Sequence, residues 1–209
     1  IDIQSDLGTR HEIAKNTLFK FQKNSRLITF GGGHDYGYSD GASFIKTYFS
    51  STQKKPLIIN FDAHLDVRPV TQSYNSGTPF YRLLTEFKDQ FHLLEIGLQN
   101  QCNSLQHWRW AKEQGAQTIS LDEISEKGWD IIWKNKMIQE LDRSTPVWIS
   151  FDIDALCAAE AGGCSQAWAT GLKITDCLQF LNQLYKKSDV RGLGIYEVSP
   201  PLDRDFQTS

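Results

Sequence analysis

Three short segments of this 209-residue chain concentrate residue types that bind metal ions and move protons. They are Gly31-Gly32-Gly33-His34-Asp35, Asp62-Ala63-His64-Leu65-Asp66 and Asp152-Ile153-Asp154, and each follows a run of apolar residues. Alternate residues of an extended or tightly turning backbone face the same side, so the spacing Asp-x-His-x-Asp directs three ligands to one place. The segments supply six candidate ligands: His34, Asp62, His64, Asp66, Asp152 and Asp154.

This ligand set predicts bound divalent cations. Carboxylates that crowd at one point in a low-dielectric cleft repel each other strongly unless cations neutralise them. A set rich in carboxylate and poor in imidazole favours hard ions such as Mn²⁺ or Mg²⁺ over a thiolate-type zinc site. Two such ions about 3.5 Å apart can share a water and lower its pKa, which is the chemistry of a metal-dependent hydrolase. The alternative, in which each Asp only caps a turn, does not explain why the pattern recurs after three apolar runs.

Elements that end at one edge of a sheet must position these ligands. Short apolar runs alternate with stretches of helical periodicity, which predicts a mostly parallel sheet with helices on both faces. The predicted strands are Arg26–Phe30, Leu57–Phe61, His92–Ile96, Gln117–Leu121, Val147–Phe151 and Gly192–Val198. The predicted helices are Glu12–Gln22, Gly41–Phe49, Pro79–Phe87, Ser104–Gln114, Trp129–Leu141 and Lys173–Tyr185. We therefore expect a three-layer αβα fold in a single domain over residues 1–209, with its ligands beyond the carboxyl ends of the strands.

The last predicted helix carries an apolar stripe. Helical spacing relates Leu172, Ile174, Leu178, Leu181, Leu184 and Tyr185. A stripe of this kind predicts a helix face that packs against the sheet rather than a cofactor site.

Composition argues against several other classes of protein. The net charge of -3 and the absence of a basic tract argue against nucleic acid as a partner. No apolar run reaches the roughly 20 residues of a spanning helix, and the first residues do not resemble a signal peptide, so we expect a cytoplasmic protein without a membrane partner.

The cysteines Cys102, Cys157, Cys164 and Cys177 form no C-x-x-C pair, which argues for reduced thiols rather than a zinc or redox site. The isolated His11, His92 and His107 are predicted to lie outside the metal site.

Together the motifs resemble those of the ureohydrolase family, which includes arginase, agmatinase and formimidoylglutamase. The similar segments are GGGHD at 31–35, NFDAHLD at 60–66, SFDIDAL at 150–156 and EVSPPLD at 197–203, in the family's order. The resemblance implies an arginase-like fold, a homo-oligomer and a binuclear Mn²⁺ centre held by His34, Asp62, His64, Asp66, Asp152 and Asp154, with other divalent ions as alternatives.

The resemblance also implies catalytic roles for Glu197 and Asp66. Glu197 would face the amidine or guanidine group of a small-molecule substrate, where its carboxylate pairs with the cationic C=N group. Asp66 would shuttle a proton to the leaving nitrogen. The other interpretation of Glu197 is a salt-bridged surface residue.

The segment after the second motif bears on the substrate. Arginase-like members carry a histidine shortly after the equivalent Ser-Gly, whereas Thr-Pro-Phe follows Ser76-Gly77 here. This segment is more similar to that of formimidoylglutamase, which acts in histidine degradation and hydrolyses N-formimidoyl-L-glutamate to L-glutamate and formamide. Because that substrate has two carboxylates, we expect Arg68, Asn75, Ser76 and Thr78 to bind it. Arg68 is equally well interpreted as an ion-pair partner of a metal ligand.

Three alternative functions stay open. An agmatinase-like or arginase-like enzyme would release urea from a guanidino compound, and a catalytically idle member would only bind metal or serve as an oligomer scaffold. A deacetylase-like enzyme with a single zinc fits poorly, because the aspartate-rich motifs supply more ligands than one zinc uses. The chain also departs from the family in having Gly162-Gly163 where Pro-Gly is common, and the family's N-terminal segment and final helix are expected to lie outside the given sequence.

Overall fold

A computed structural model describes residues 6–137 and 141–209 of the chain. Within these ranges one six-stranded sheet has the order β1-β6-β5-β2-β3-β4, and every neighbouring pair is parallel. The strands are β1 Leu27–Phe30, β2 Leu57–Phe61, β3 His92–Leu98, β4 Gln117–Ser120, β5 Pro146–Asp152 and β6 Asp189–Tyr196. The six predicted strands and the parallel sheet are thus confirmed, although the ends of most strands differ from the predicted ones by one to three residues.

Seven α-helices cover this sheet in the described ranges. They are α1 Leu7–Gln22, α2 Gly37–Thr52, α3 Pro79–Glu86, α4 Leu105–Glu113, α5 Leu121–Lys127, α6 Trp129–Ile132 and α7 Ile174–Lys187. Side chains that accept hydrogen bonds from backbone N–H groups cap three of them: Asp6 caps α1, Ser104 caps α4 and Ser120 caps α5. No helix in the described part of the chain has both the length and the apolar character that crossing a membrane requires.

Helices on both faces give the predicted three layers. One core cluster joins Ile59 and Ile149 of the sheet to Phe180 of α7. The other joins Ile58 and Trp148 on the opposite face to residues of α2, α3 and α4. Successive strand residues therefore point into different cores, as expected for a sheet that is buried on both sides.

The structure corrects three local predictions. Leu121 begins helix α5 instead of ending a strand, because the Ser120 hydroxyl caps the backbone there. The helix predicted over Trp129–Leu141 is a short α6 followed by a π-helical turn at Trp133–Met137, and residues 138–140 lie outside the described ranges. The stripe predicted on α7 is wrong in part. Cys177, Phe180 and Leu184 form the buried face, whereas Ile174, Leu178 and Tyr185 are exposed.

Strand order places the predicted site residues side by side. Strands β1, β6, β5 and β2 are consecutive neighbours in the sheet, and their carboxyl ends lead to His34, Glu197, Asp152 and Asp62 respectively. A glycine permits close packing behind this edge. A Cβ atom at Gly194 would collide with the hydroxyl oxygen of Tyr196, so a larger residue there would displace that ring. The fold thus brings four loops to one end of the sheet.

Candidate metal centre

All six predicted ligands lie in two overlapping groups at this end of the sheet. One group contains His34, Asp62, Asp66 and Asp152, and the other contains Asp62, His64 and Asp154. Each residue offers one ligand atom, and the ligand atoms of a group lie within 4.8 Å of one another. Because Asp62 belongs to both groups, the arrangement suits two cations that share one carboxylate.

The two oxygens of Asp62 face different imidazoles. Asp62 Oδ2 lies 3.0 Å from Nδ1 of His34, and Asp62 Oδ1 lies 3.3 Å from Nδ1 of His64. Oδ2 atoms of two other aspartates complete the surroundings of the first nitrogen, at 2.9 Å for Asp66 and 3.3 Å for Asp152. Asp154 Oδ2 lies 3.0 Å from His64 Nδ1. The Nδ1 atoms of His34 and His64 therefore each lie among carboxylate oxygens.

Short turns after the strands hold the aspartates in place. The backbone N–H of His64 donates to Asp62 Oδ1 at 2.6 Å, and the backbone N–H of Asp154 donates to Asp152 Oδ1 at 2.9 Å. Asp66 has a left-handed backbone with φ of 48°, a conformation that costs energy in a non-glycine residue. The Asp-x-His and Asp-x-Asp spacings thus let the first carboxylate bind the backbone of the second ligand.

The surroundings of His34 leave its Nδ1 atom available to a cation. The other ring nitrogen, Nε2, lies 2.8 Å from the Ser150 hydroxyl, and the ring stacks on Tyr196 at a centroid distance of 4.8 Å. Nδ1 is buried, and despite its short distances to carboxylates it has no contact with hydrogen-bond geometry in the described part of the chain. A hydrogen on Nε2 that is donated to Ser150 directs the Nδ1 lone pair at the aspartates. The donor set therefore fits a divalent ion.

The pKa values show how strongly the buried carboxylates of the site repel one another. Burial, together with the charge of Asp62, raises the pKa of Asp154 to about 7 and that of Asp66 to about 6. Burial alone would lower the pKa of His64, but Asp154 and Asp62 raise it to about 12. Divalent ions bound among these carboxylates would relieve the repulsion that raises the pKa values of Asp66 and Asp154.

A cavity of about 150 Å³ opens beside the two groups. Predicted residues that line it, besides the ligands His64, Asp66, Asp152 and Asp154, are Arg68, Ser76 and Glu197. Glu197 is half-buried, and its Oε1 accepts a hydrogen bond from the backbone N–H of His34 at 2.8 Å. Its φ of 64° is a second left-handed conformation at the site. These features fix the Glu197 carboxylate at the cavity wall.

Arg68 lies along the cavity rather than in an ion pair. No carboxylate of the described residues lies within ion-pair distance of its guanidinium, and its side chain packs over Gly77, where a Cβ atom would lie 2.7 Å from Arg68 Cδ. Asn75 and Thr78 instead build the neighbouring turn. Asn75 Oδ1 accepts from Gly77 N at 3.0 Å, and the buried Thr78 hydroxyl donates to the Asn75 carbonyl at 2.7 Å. Neither lines the cavity.

The structure adds site residues that the sequence did not single out. Ser165 and Gln166 line the cavity from the loop after Asp154, where irregular backbone gives no periodicity to interpret. Ser150 and Tyr196 orient His34. Ser150 precedes Asp152 by two residues on a strand, so period-2 alternation could have placed both side chains on one face.

Comparisons with known proteins agree with this geometry. The model of the arginase family matches residues 2–209. The chain is 31% identical to a formimidoylglutamase of Legionella pneumophila, over 96% of this chain and 63% of that protein. It is 32% identical to a formimidoylglutamase of Halalkalibacterium halodurans, over 96% of this chain and 62% of that protein. The chain thus spans less than two thirds of the length of these relatives.

Solved structures share the fold. The crystal structure of formimidoylglutamase from Bacillus subtilis superposes with a TM-score of 0.84 at 27% identity, over 98% of this chain and 64% of that one. A Trypanosoma cruzi formiminoglutamase solved with two Mn²⁺ ions gives a TM-score of 0.82 at 23% identity, over 95% of this chain and 66% of that one. Because the family model matches nearly every residue and the fold is an arginase-like α/β fold, this chain belongs to the arginase family.

Proposed function

We propose that this chain carries the catalytic centre of a hydrolase that cleaves N-formimidoyl-L-glutamate with water to L-glutamate and formamide. One observation carries the proposal: two ligand groups share Asp62, and they lie beside a cavity lined by Glu197 and Arg68. The two curated relatives named above, formimidoylglutamases at 31% and 32% identity, support this substrate.

The resident cofactor in this proposal is a pair of Mn²⁺ ions per subunit. His34, Asp62, Asp66 and Asp152 would hold one ion, and Asp62, His64 and Asp154 would hold the other. The oxygen-rich donor set supports Mn²⁺, with other divalent ions as alternatives. When bound, the pair would supply Lewis acidity and lower the pKa of a water toward neutrality.

Glu197 orients the reacting group of the substrate. The formimidoyl group is a formamidinium cation near neutral pH, and its N–H groups are donors for a carboxylate. Because the hydrogen bond from His34 N fixes Glu197 Oε1, the other oxygen, Oε2, is the acceptor for the substrate. This pairing holds the planar amidine carbon over the ligand groups and favours attack by water on that carbon.

Asp66 handles the proton of the reaction. Water adds its oxygen to the formimidoyl carbon, and the bond from that carbon to the glutamate nitrogen breaks. Both protons of the water go to this nitrogen: one leaves the oxygen as the formamide carbonyl forms, and the other is taken up by a carboxylate when the water attacks and is then delivered. Asp66 lines the cavity with a carboxylate next to His34, which places it to hold that proton between the two steps. The products are formamide and glutamate with a protonated amine.

Arg68 and Ser76 bind the glutamate carboxylates in this scheme. Among the described residues that line the cavity, Arg68 is the one with a permanent positive charge, and a guanidinium binds carboxylates through paired N–H donors. Asn75 and Thr78, which were expected to bind substrate, support this wall through the turn that carries Ser76 and Gly77.

The test is product identification with the purified full chain and Mn²⁺. We expect formamide and glutamate from N-formimidoyl-L-glutamate, and no urea from arginine or agmatine. Urea release would overturn the substrate, and an Mn²⁺-loaded protein that hydrolyses none of these compounds would favour a scaffold role. We also propose that the protein is cytoplasmic and forms a homo-oligomer, and light scattering of the purified protein tests the oligomeric state.

A further inference from the structure

We propose that Arg82 is a positioning residue that ties the His34 turn to the loop of residues 68–77, which carries Arg68 and Ser76 at the cavity wall. This inference rests on the proposed function, because the loop matters to catalysis only if its residues bind the substrate. Three contacts of Arg82, to His11, Tyr38 and Tyr74, carry it.

One end of the connection runs through His11 to the metal-ligand turn. Arg82 Nη1 lies 2.8 Å from Nδ1 of His11, and His11 Nε2 lies 2.6 Å from Asp35 Oδ2. A guanidinium only donates, so His11 Nδ1 accepts and Nε2 donates its hydrogen to Asp35. His11 has no solvent exposure, and Asp35 directly follows His34. The chain from Arg82 to Asp35 therefore braces the turn that places His34.

The other end runs through Tyr74 to the loop. The guanidinium carbon of Arg82 lies 3.8 Å from the ring centroid of Tyr74 and 3.3 Å from that of Tyr38, so the cation lies between two aromatic faces. Tyr38 belongs to α2, and its hydroxyl donates to Glu86 at 2.5 Å. Tyr74 is the member of the pair that the loop supplies. Cation–π contacts of a half-buried arginine with two rings hold the loop against α2 and α3.

The loop depends on the contact of Tyr74 with Arg82 because the hydrogen bonds of the loop itself lie near the residues where it begins and ends. The backbone N–H of Arg68 donates to the Gly77 carbonyl at 2.8 Å, which closes the loop. Residues 70–73 at its tip are exposed. Between these features Tyr74 packs on α1, where a Cβ atom at Gly8 would lie 3.1 Å from the ring. The Tyr74–Arg82 contact therefore positions the loop, and with it Arg68 and Ser76, relative to the cavity.

The test compares Tyr74→Leu, Tyr74→Phe, Arg82→Lys and the control Tyr81→Leu in the full chain. Tyr81 precedes Arg82 but stacks on Trp110, with a centroid distance of 4.7 Å, so its loss removes an aromatic pair without touching Arg82. The measurements are hydrogen exchange of peptides over residues 67–78, Mn²⁺ affinity by calorimetry, and kcat and KM for N-formimidoyl-L-glutamate.

We expect Tyr74→Leu to speed exchange in the loop and to raise KM about five- to thirtyfold, with kcat and Mn²⁺ affinity within about twofold of the parent. Tyr74→Phe keeps the aromatic face and should behave as the parent, as should Tyr81→Leu. Arg82→Lys removes the guanidinium that contacts both His11 and Tyr74, so it should weaken Mn²⁺ binding as well as raise KM.

Loop exchange that stays at the parental rate in both Tyr74→Leu and Arg82→Lys would overturn the inference, as would equal effects of Tyr74→Leu and Tyr74→Phe. If Arg82→Lys does not fold, the two Tyr74 variants decide. If the parent does not hydrolyse the substrate, the proposed function fails, while exchange and Mn²⁺ affinity still test the connection.

Discussion

Ser150 Oγ lies 2.8 Å from Nε2 of His34, on the side of the ring opposite the aspartates. Both groups are buried. Ser150 lies on β5 and His34 lies in the turn after β1, and β6 separates these two strands in the sheet. The contact therefore fixes a ligand ring across the width of the site. The Ser150 oxygen can accept the hydrogen of Nε2, which leaves the lone pair of Nδ1 for a cation.

Replacing Ser150 with Ala should weaken metal binding without unfolding the protein. The imidazole loses its orienting partner, and such partners typically contribute about 10- to 100-fold in metal affinity. Calorimetric titration with Mn²⁺ measures the change. Ser43→Ala is a matched control, because Ser43 is also a buried serine but lies on α2, away from the ligands. Equal affinities of Ser150→Ala and the parent would contradict the role of the hydroxyl.

Arg68→Ala should impair recognition of the substrate and leave the metal site intact. Loss of charge-assisted hydrogen bonds costs about 1.5–3 kcal/mol each, so KM should rise about 10- to 150-fold. Steady-state kinetics with N-formimidoyl-L-glutamate measure it. The matched comparison is N-formimidoyl-ethylamine, which lacks both carboxylates and should react equally well with the parent and the variant. A similar KM increase for both compounds would show that Arg68 does not bind the carboxylates.

The buried Asp40 should make the stability of the metal-free protein depend on pH. Burial raises its pKa from 3.8 to about 6, although hydrogen bonds from Thr29 and Tyr196 act in the opposite direction. An acid whose pKa is higher in the folded state binds its proton more tightly there, so its contribution to stability is lost as pH rises from 4 to 6. Asp40→Asn has no such loss, and its stability relative to the parent should improve by up to about 3 kcal/mol between pH 4 and pH 7.

Urea denaturation in the presence of a chelator checks this sign. Asp130→Asn is the control, because Asp130 is an exposed aspartate on α6. A difference in unfolding free energy between Asp40→Asn and the parent that stays constant with pH would contradict the assignment.

The strands and ligand groups could be predicted because each follows from a short local pattern. Asp62, His64 and Asp66 follow a five-residue strand, and the carboxyl ends of parallel strands lie at one edge of a sheet. Once the parallel sheet is predicted, the position of these ligands at that edge follows from it. The sharing of Asp62 between two ligand groups could not be predicted. It depends on strand order, which places β5 next to β2 and thereby sets Asp154 against His64.

Other parts of the fold depend on contacts that sequence spacing does not encode. The stripe predicted on α7 followed apolar residues at helical spacing, but the sheet contacts Cys177 and Phe180, leaving Leu178 exposed. Asn75 and Thr78 had side chains suited to carboxylates, but they bind the backbone of their own turn instead. His11 gave no signal, because its partners Asp35 and Arg82 are distant in the sequence.

Elemental analysis of three forms of the purified protein tests the two-ion centre most directly. We predict about two Mn²⁺ ions per chain in the parent and about one in Asp154→Ala, which loses a ligand of a single group. Asp62→Ala removes the carboxylate that both groups share and should retain fewer ions than Asp154→Ala. One ion per chain in the parent, or two in Asp62→Ala, would contradict the two-ion centre on which the proposed hydrolysis depends.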